Sequence, residues 1–149
     1  MASVQSPLSA RFVFDVPVEP EDIDVLGHVS NLVYVRWVQD AAWRHSSAVG
    51  WDHAAYVRLG ALFVVRRHEL DYLASAIAGD VARITTWVDS WSAASSIRRT
   101  EATRVSDGRV LLRAATTWAM VSAKTGRPTR IVPEIVRAFA IVDAKESAS

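Results

Sequence analysis

The stretch from Val29 to Val49 constrains the fold of this chain more than any other part of it. Wound at 3.6 residues per turn, it places Tyr34, Trp37, Val38, Ala41, Ala42, His45, Ala48 and Val49 on one side, and Arg36, Gln39, Asp40 and Ser47 on the other. Gly50 follows, where a helix C-terminus favours a residue that tolerates the left-handed conformation. Trp43 breaks the polar stripe, so even the outer face is expected to be partly covered. A helix that is apolar round most of its circumference belongs inside a fold, and the rest of the chain must surround it.

That remainder reads as strands. Arg11 to Val18 is rich in β-formers, and Pro17 predicts an edge position or the strand's end. An acidic turn, Glu19 to Asp24, leads to the helix. After it, Asp52 to Leu59 reads as a short helical stretch. Four strands are then predicted at Leu62 to Leu73, Val81 to Trp91, Ser95 to Val105 and Arg109 to Val121, with Ser106-Asp107-Gly108 as a hairpin turn. Pro133 to Phe139 reads as a short helix with proline in its first turn. Consecutive strands separated by tight turns predict an antiparallel sheet, and the one long helix is the element available to cover its buried face. The expected class is α+β, a curved five-stranded antiparallel sheet wrapped around a long central helix. An exposed edge strand and 6 tryptophans point to self-association as a homodimer or homotetramer.

At 149 residues the chain has the length of one domain, expected over residues 11–142, with polar disordered ends at 1–10 and 143–149. A net charge of +1 provides no bulk field for nucleic acid or an anionic membrane, so neither is an expected partner. No apolar run approaches the roughly 20 residues of a membrane helix, and Met1 to Ala10 lacks a secretory pattern. A cytoplasmic protein is expected. The absence of cysteine removes a thiol nucleophile, a disulfide framework and any cysteine-ligated zinc site. His45 lies on the helix's apolar side as a core histidine would, and His53 and His68 have no ligand partner at metal-like spacing. No Gly-x-Ser-x-Gly elbow is present. No metal and no cofactor are expected.

The run Glu21-Asp22-Ile23-Asp24-Val25-Leu26-Gly27-His28-Val29-Ser30-Asn31-Leu32-Val33-Tyr34 resembles the signature of hotdog-fold thioesterases of the 4-hydroxybenzoyl-CoA thioesterase type. The similarity continues, in order, through Glu69-Leu70-Asp71-Tyr72-Leu73 with Gly79-Asp80, Ser95-Ser96, and Thr125-Gly126-Arg127-Pro128 before Ile131-Val132-Pro133. It spans about residues 11 to 139. The resemblance implies a hotdog fold and hydrolysis of an acyl-CoA or acyl carrier thioester to a free acid. It also implies that Asp24 attacks the carbonyl or activates water, and that the backbone N–H of Asn31 polarises the carbonyl. His28 would orient substrate or water, or hold the loop. Plant acyl carrier thioesterases resemble this stretch too, but Leu26 stands where they carry asparagine, so the full Asp-Asn-His set is absent.

Substrate-binding positions implied by the resemblance are Tyr34, Ser96, and the pair Arg98 and Arg99 for the nucleotide end, with Arg66 and Arg67 as weaker candidates. Tyr34 and the Asn31 side chain also fit plain loop and helix packing, with Asn31 as a possible helix cap. The acyl pocket is expected between the helix and a partner subunit, near Trp37, Ala41 or Phe63. Read without the resemblance, Asp24 has a second explanation as a turn residue or distant N-cap whose side chain accepts backbone N–H groups. A non-catalytic acyl-CoA binding or sensor protein on the same fold is the alternative function. Hotdog hydratases, a third class, pair their aspartate with a histidine in a different motif.

Overall fold

The computed structural model describes residues 11–140, so the two expected polar ends lie outside the described residues. The elements run β1 (Phe12–Pro17), a 3-10 turn (Pro20–Asp22), α1 (Asn31–Ala48), α2 (His53–Leu59), β2 (Ala61–Tyr72), β3 (Val81–Trp91), β4 (Ser95–Arg104), β5 (Val110–Ser122) and α3 (Pro133–Ala138). Every strand pairing is antiparallel, in the order β1-β3-β4-β5-β2. This is the hotdog arrangement of a five-stranded sheet with a long helix, α1, against one face. β1 is an edge strand and Pro17 its last residue, where the missing N–H costs nothing.

One expectation is corrected. β2 and β3 are not joined by a hairpin, because β2 pairs with β5 at one edge while β3 lies between β1 and β4. Residues 73–80 therefore form a crossover rather than a turn. Alternating apolar residues fix which face of a strand is buried, not which strand lies beside it. The crossover is held by Leu73 and Ala74 N–H donating to Leu111 O at 2.9 and 3.3 Å, and by Arg104, which reaches Ser75 O at 2.7 Å and Asp80 at 3.3 Å. It passes the start of α1, where Val29 N–H donates to Ala76 O at 3.0 Å.

Helix α1 buries Val33, Tyr34, Trp37, Val38, Ala41, Ala42, His45 and Ser46, the side predicted by its periodicity except at its end, where Ala48 is exposed and Ser46 is buried instead. Small residues on the facing strands, Ala82, Ala102 and Ala114, let it approach the sheet closely. Its end is a Schellman motif in which Trp51 N–H donates to Ser46 O at 2.8 Å and Gly50 N–H to Ser47 O at 3.1 Å, with Gly50 at φ +95°.

The core has two apolar clusters. One joins the first half of α1 to Phe12, Phe14, Ile84 and Leu112, and the other joins Tyr56, Ala61, Met120, Ile135 and Phe139. Strand register places a polar row between them, since Arg98 lies opposite Thr116 and Thr116 opposite His68, beside buried Thr86 and Thr100. Buried polar groups are tolerable only when hydrogen-bonded. Here Thr86 Oγ1 donates to Arg99 O at 2.8 Å, and His68 Nδ1 pairs with Thr116 Oγ1 at 2.9 Å.

Candidate active site at the start of the central helix

The turn before α1 is built by its own main chain. Gly27 sits at φ +82°, a conformation that side-chain-bearing residues rarely adopt, and its N–H donates to Asp24 O at 3.0 Å. Asp24 N–H donates to His28 O at 2.8 Å, and the Asp24 carboxylate accepts Leu26 N–H on Oδ1 at 2.8 Å. That last bond is the Asx turn anticipated by the simpler reading of Asp24. It engages one oxygen. Oδ2 has no protein partner among the described residues, and the residue is exposed.

Ser30, not Asn31, caps the helix. Its backbone is extended (φ −62°, ψ 142°), and its hydroxyl accepts Leu32 N–H at 3.2 Å. Ser30 N–H is in turn held by Asp22 O at 2.9 Å. Asp22 is only 5% exposed; its carboxylate accepts Glu19 N–H at 3.0 Å and Arg36 at 3.1 Å, tying the 3-10 turn, the loop and α1 together. With Leu32 satisfied by the cap and Val33 N–H bonded to Ser30 O at 2.9 Å, the Asn31 N–H has no partner among the described residues. It stands at the positive end of the 18-residue helix. Ser30→Ala is expected to cost about 1 kcal/mol of stability, seen as a lower urea midpoint with an unchanged slope.

Asp24, His28, Asn31 and Tyr34 line one cleft, of which Tyr72 to Ser75 form the other wall. Sequence reasoning missed that wall because it read the crossover as a turn. Tyr34 is buried, and its hydroxyl accepts Ala76 N–H at 3.1 Å and meets Ala74 O at 3.4 Å, so it fastens the crossover to the helix. Burial raises its pKa above the ordinary phenol value, keeping that hydroxyl protonated. Leu26 and Leu32, which line the cleft, are 75% and 79% exposed, and the neighbouring Val25 is fully exposed.

The remaining candidates lie elsewhere. Ser96 and Arg98 line a separate cavity beside the second half of α1, with Ala42 and Ser46. Trp37 and Ala41 are plain core, 2% and 0% exposed, whereas Phe63 borders that second cavity. Arg98 and Arg99 do not share a face of the sheet. Arg98 is buried on the helix side, whereas Arg99 faces outward and bonds Asp89 at 3.2 Å. Strand alternation, in which neighbours take opposite faces, is the sequence signal that separates them. Arg66 and Arg67 are exposed on β2, Arg67 with Glu69 at 3.2 Å. Among the described residues, no three His, Asp or Glu side chains are grouped to hold a metal ion, and no helix is long and apolar enough to cross a membrane.

Known structures share this architecture. The 1,4-dihydroxy-2-naphthoyl-CoA thioesterase of Synechocystis superposes with a TM-score of 0.79 at 18% identity, over 89% of this chain and 98% of its own. A Staphylococcus aureus protein solved in complex with CoA gives a TM-score of 0.82 at 17% identity, over 94% of this chain and 85% of its own. The 12:0-ACP thioesterase of Umbellularia californica gives 0.78 at 18% identity, over 90% of this chain and 51% of its own. No curated protein matches the sequence. At these identities the superpositions establish the fold, and the family comes from the sequence: the model of the thioesterase-like superfamily matches residues 18–139. That match runs from the turn carrying Asp24 through the sheet to α3, so the chain belongs to the thioesterase-like superfamily and its reaction class is thioester hydrolysis.

Proposed function

We propose that the chain is an acyl-CoA thioesterase that hydrolyses its substrate in the cleft at the start of α1, with Asp24 as nucleophile or general base. One observation carries this reading: a carboxylate oxygen and a helix N-terminal N–H, neither with a partner among the described residues, belong to residues that border the same cleft. An acyl thioester placed there directs its carbonyl oxygen to Asn31 N–H, where the helix end stabilises the negative charge that develops on it. In one route Asp24 attacks the carbonyl carbon, the tetrahedral intermediate expels CoA thiolate, and water opens the resulting anhydride. In the other, Asp24 takes a proton from the attacking water. His28 orients substrate or water from the exposed turn, and Tyr34 acts by positioning the crossover.

The nucleotide end of CoA is assigned to Arg99, whose guanidinium is solvent-facing and held by a single exposed carboxylate. Surface pairs of that kind are weak and exchange readily for a phosphate. The free edge of β2 and the exposed Leu26 and Leu32 at the cleft support assembly as a homodimer or homotetramer.

Free-thiol release from a panel of aromatic, short-chain and long-chain acyl-CoAs tests the reading. At least one member is expected to turn over on the order of 1 per second or faster. The Asx turn at Asp24 is what a purely structural aspartate would also show, which keeps the acyl-CoA sensor as the competing function. Tight binding of several acyl-CoAs with no thiol released would establish the sensor instead.

A further inference from the structure

The second cavity contains a buried charge that no carboxylate neutralises among the described residues. Arg98, 4% exposed, projects from β4 into the gap between sheet and helix. Its Nη1 donates to His45 Nδ1 and to Thr86 Oγ1, each at 3.0 Å. Among the described residues no carboxylate forms an ion pair with it, although seven ion pairs join other side chains. The Phe139 ring lies 5.4 Å from the guanidinium carbon, and the neutral phenol of Tyr56 is also near enough to interact with it. Burial brings its pKa down to about 10, so it remains cationic at neutral pH. The N–H groups on Nε and Nη2 have no protein partner among the described residues, and Arg98 lines the cavity.

A buried guanidinium without an ion pair is costly, and an anion bound beside it would offset that cost. The cavity around it, about 380 Å³, is of small-ligand size. Its walls are Phe63, Trp91, Trp118 and Phe139, with Ser96 as a further polar group near Arg98. Such walls reject a hydrated phosphate and accept an apolar body. The cavity borders Ala42 to Ser46, eleven or more residues along α1 from Asn31, which at 1.5 Å per residue is about 16 Å or more from the cleft at Asp24.

We propose that this cavity binds an amphipathic carboxylate, its acid group on the Nε and Nη2 fork of Arg98 and its aliphatic or aromatic body against Phe63, Trp91 and Phe139. A carboxylate fits that planar fork with two parallel N–H···O bonds, which Lys or a neutral donor does not reproduce. The ring walls supply affinity through burial of the tail, while Arg98 supplies the choice of head group. The site stands independently of the role assigned to Asp24.

Trp91 and Trp118 provide an internal reporter. Octanoate and 3-phenylpropanoate, each beside its neutral primary amide, are titrated into the whole protein by tryptophan fluorescence and calorimetry. Each acid is expected to bind at least about tenfold more tightly than its amide. In Arg98→Met that preference vanishes, and in Arg98→Lys part of it returns. The comparison of acid with amide on the unaltered chain needs no variant to fold. Equal binding of acid and amide overturns the proposal, as does an acid preference that survives in Arg98→Met or the failure of both acids to bind.

Discussion

Asp24→Asn is expected to lower kcat for acyl-CoA hydrolysis by about 10²- to 10⁴-fold while leaving stability within about 0.5 kcal/mol of the parent. The two halves of that expectation come from different oxygens of one side chain. Oδ1 accepts Leu26 N–H at 2.8 Å, and an asparagine carbonyl oxygen accepts the same bond, so the turn survives. What is lost is the negative charge that attacks the thioester or takes a proton from water. An amide does neither. If Asp24 serves only the turn, the variant keeps both stability and activity, and the measurement of kcat beside the urea midpoint separates these outcomes. Single-turnover hydrolysis in heavy-oxygen water then distinguishes the two catalytic routes, since label enters the Asp24 carboxylate only if an anhydride formed on it.

The parts of this site that were legible in the sequence are those set by local periodicity. Helix α1 begins and ends within two residues of the predicted Val29 to Val49 because its apolar spacing and the glycine after it are properties of a single segment. β3 occupies Val81–Trp91 as predicted, bounded on one side by Gly79-Asp80 and on the other by the bend before Ser95. The crossover was not legible. Whether β2 lies beside β3 or β5 depends on contacts such as Leu73 with Leu111, nearly forty residues apart in the chain, and both arrangements bury the same alternating residues. The choice between Ser30 and Asn31 as cap was equally closed to sequence, because both side chains suit the position. It is decided by Asp22, which holds Ser30 N–H from eight residues earlier while Arg36 neutralises its charge. Arg98 is the opposite case: a buried position on β4 follows from strand alternation, but its consequence, a cation facing an aromatic cavity, needs α3 folded over it to bring Phe139 near.

Acid is expected to destabilise the protein well before its carboxylates are protonated, because His45 is held neutral. His45 is 1% exposed, stacked on Phe12 at 5.3 Å and met edge-on by Phe139 at 4.9 Å. Its Nδ1 accepts from Arg98, which puts the ring proton on Nε2 and leaves no room for a second. Burial first, and then the Arg98 charge, lower its pKa from 6.5 to about 3. Thr86, the other partner of that arginine, is uncharged, and no carboxylate faces the pair among the described residues. An unfolded chain takes up a proton on this histidine as pH falls through about 6.5, whereas the folded chain resists until about 3. The unfolded state therefore binds more protons across that window, so the contribution is complete above pH 6.5 and declines as pH falls. At pH 5 the loss is about 2 kcal/mol, a large share of the stability of a domain this size. His68, whose pKa is also lowered by burial, acts in the same direction, so the informative quantity is a difference between proteins. In His45→Gln the amide oxygen still accepts from Arg98 but carries no titrating proton. Urea unfolding at pH 7.5, 6 and 5 is expected to show the parent losing about 2 kcal/mol more than His45→Gln over that range. Parallel pH slopes for the two proteins would mean that the ring accepts a proton without unfolding, which the Arg98 hydrogen bond at Nδ1 forbids.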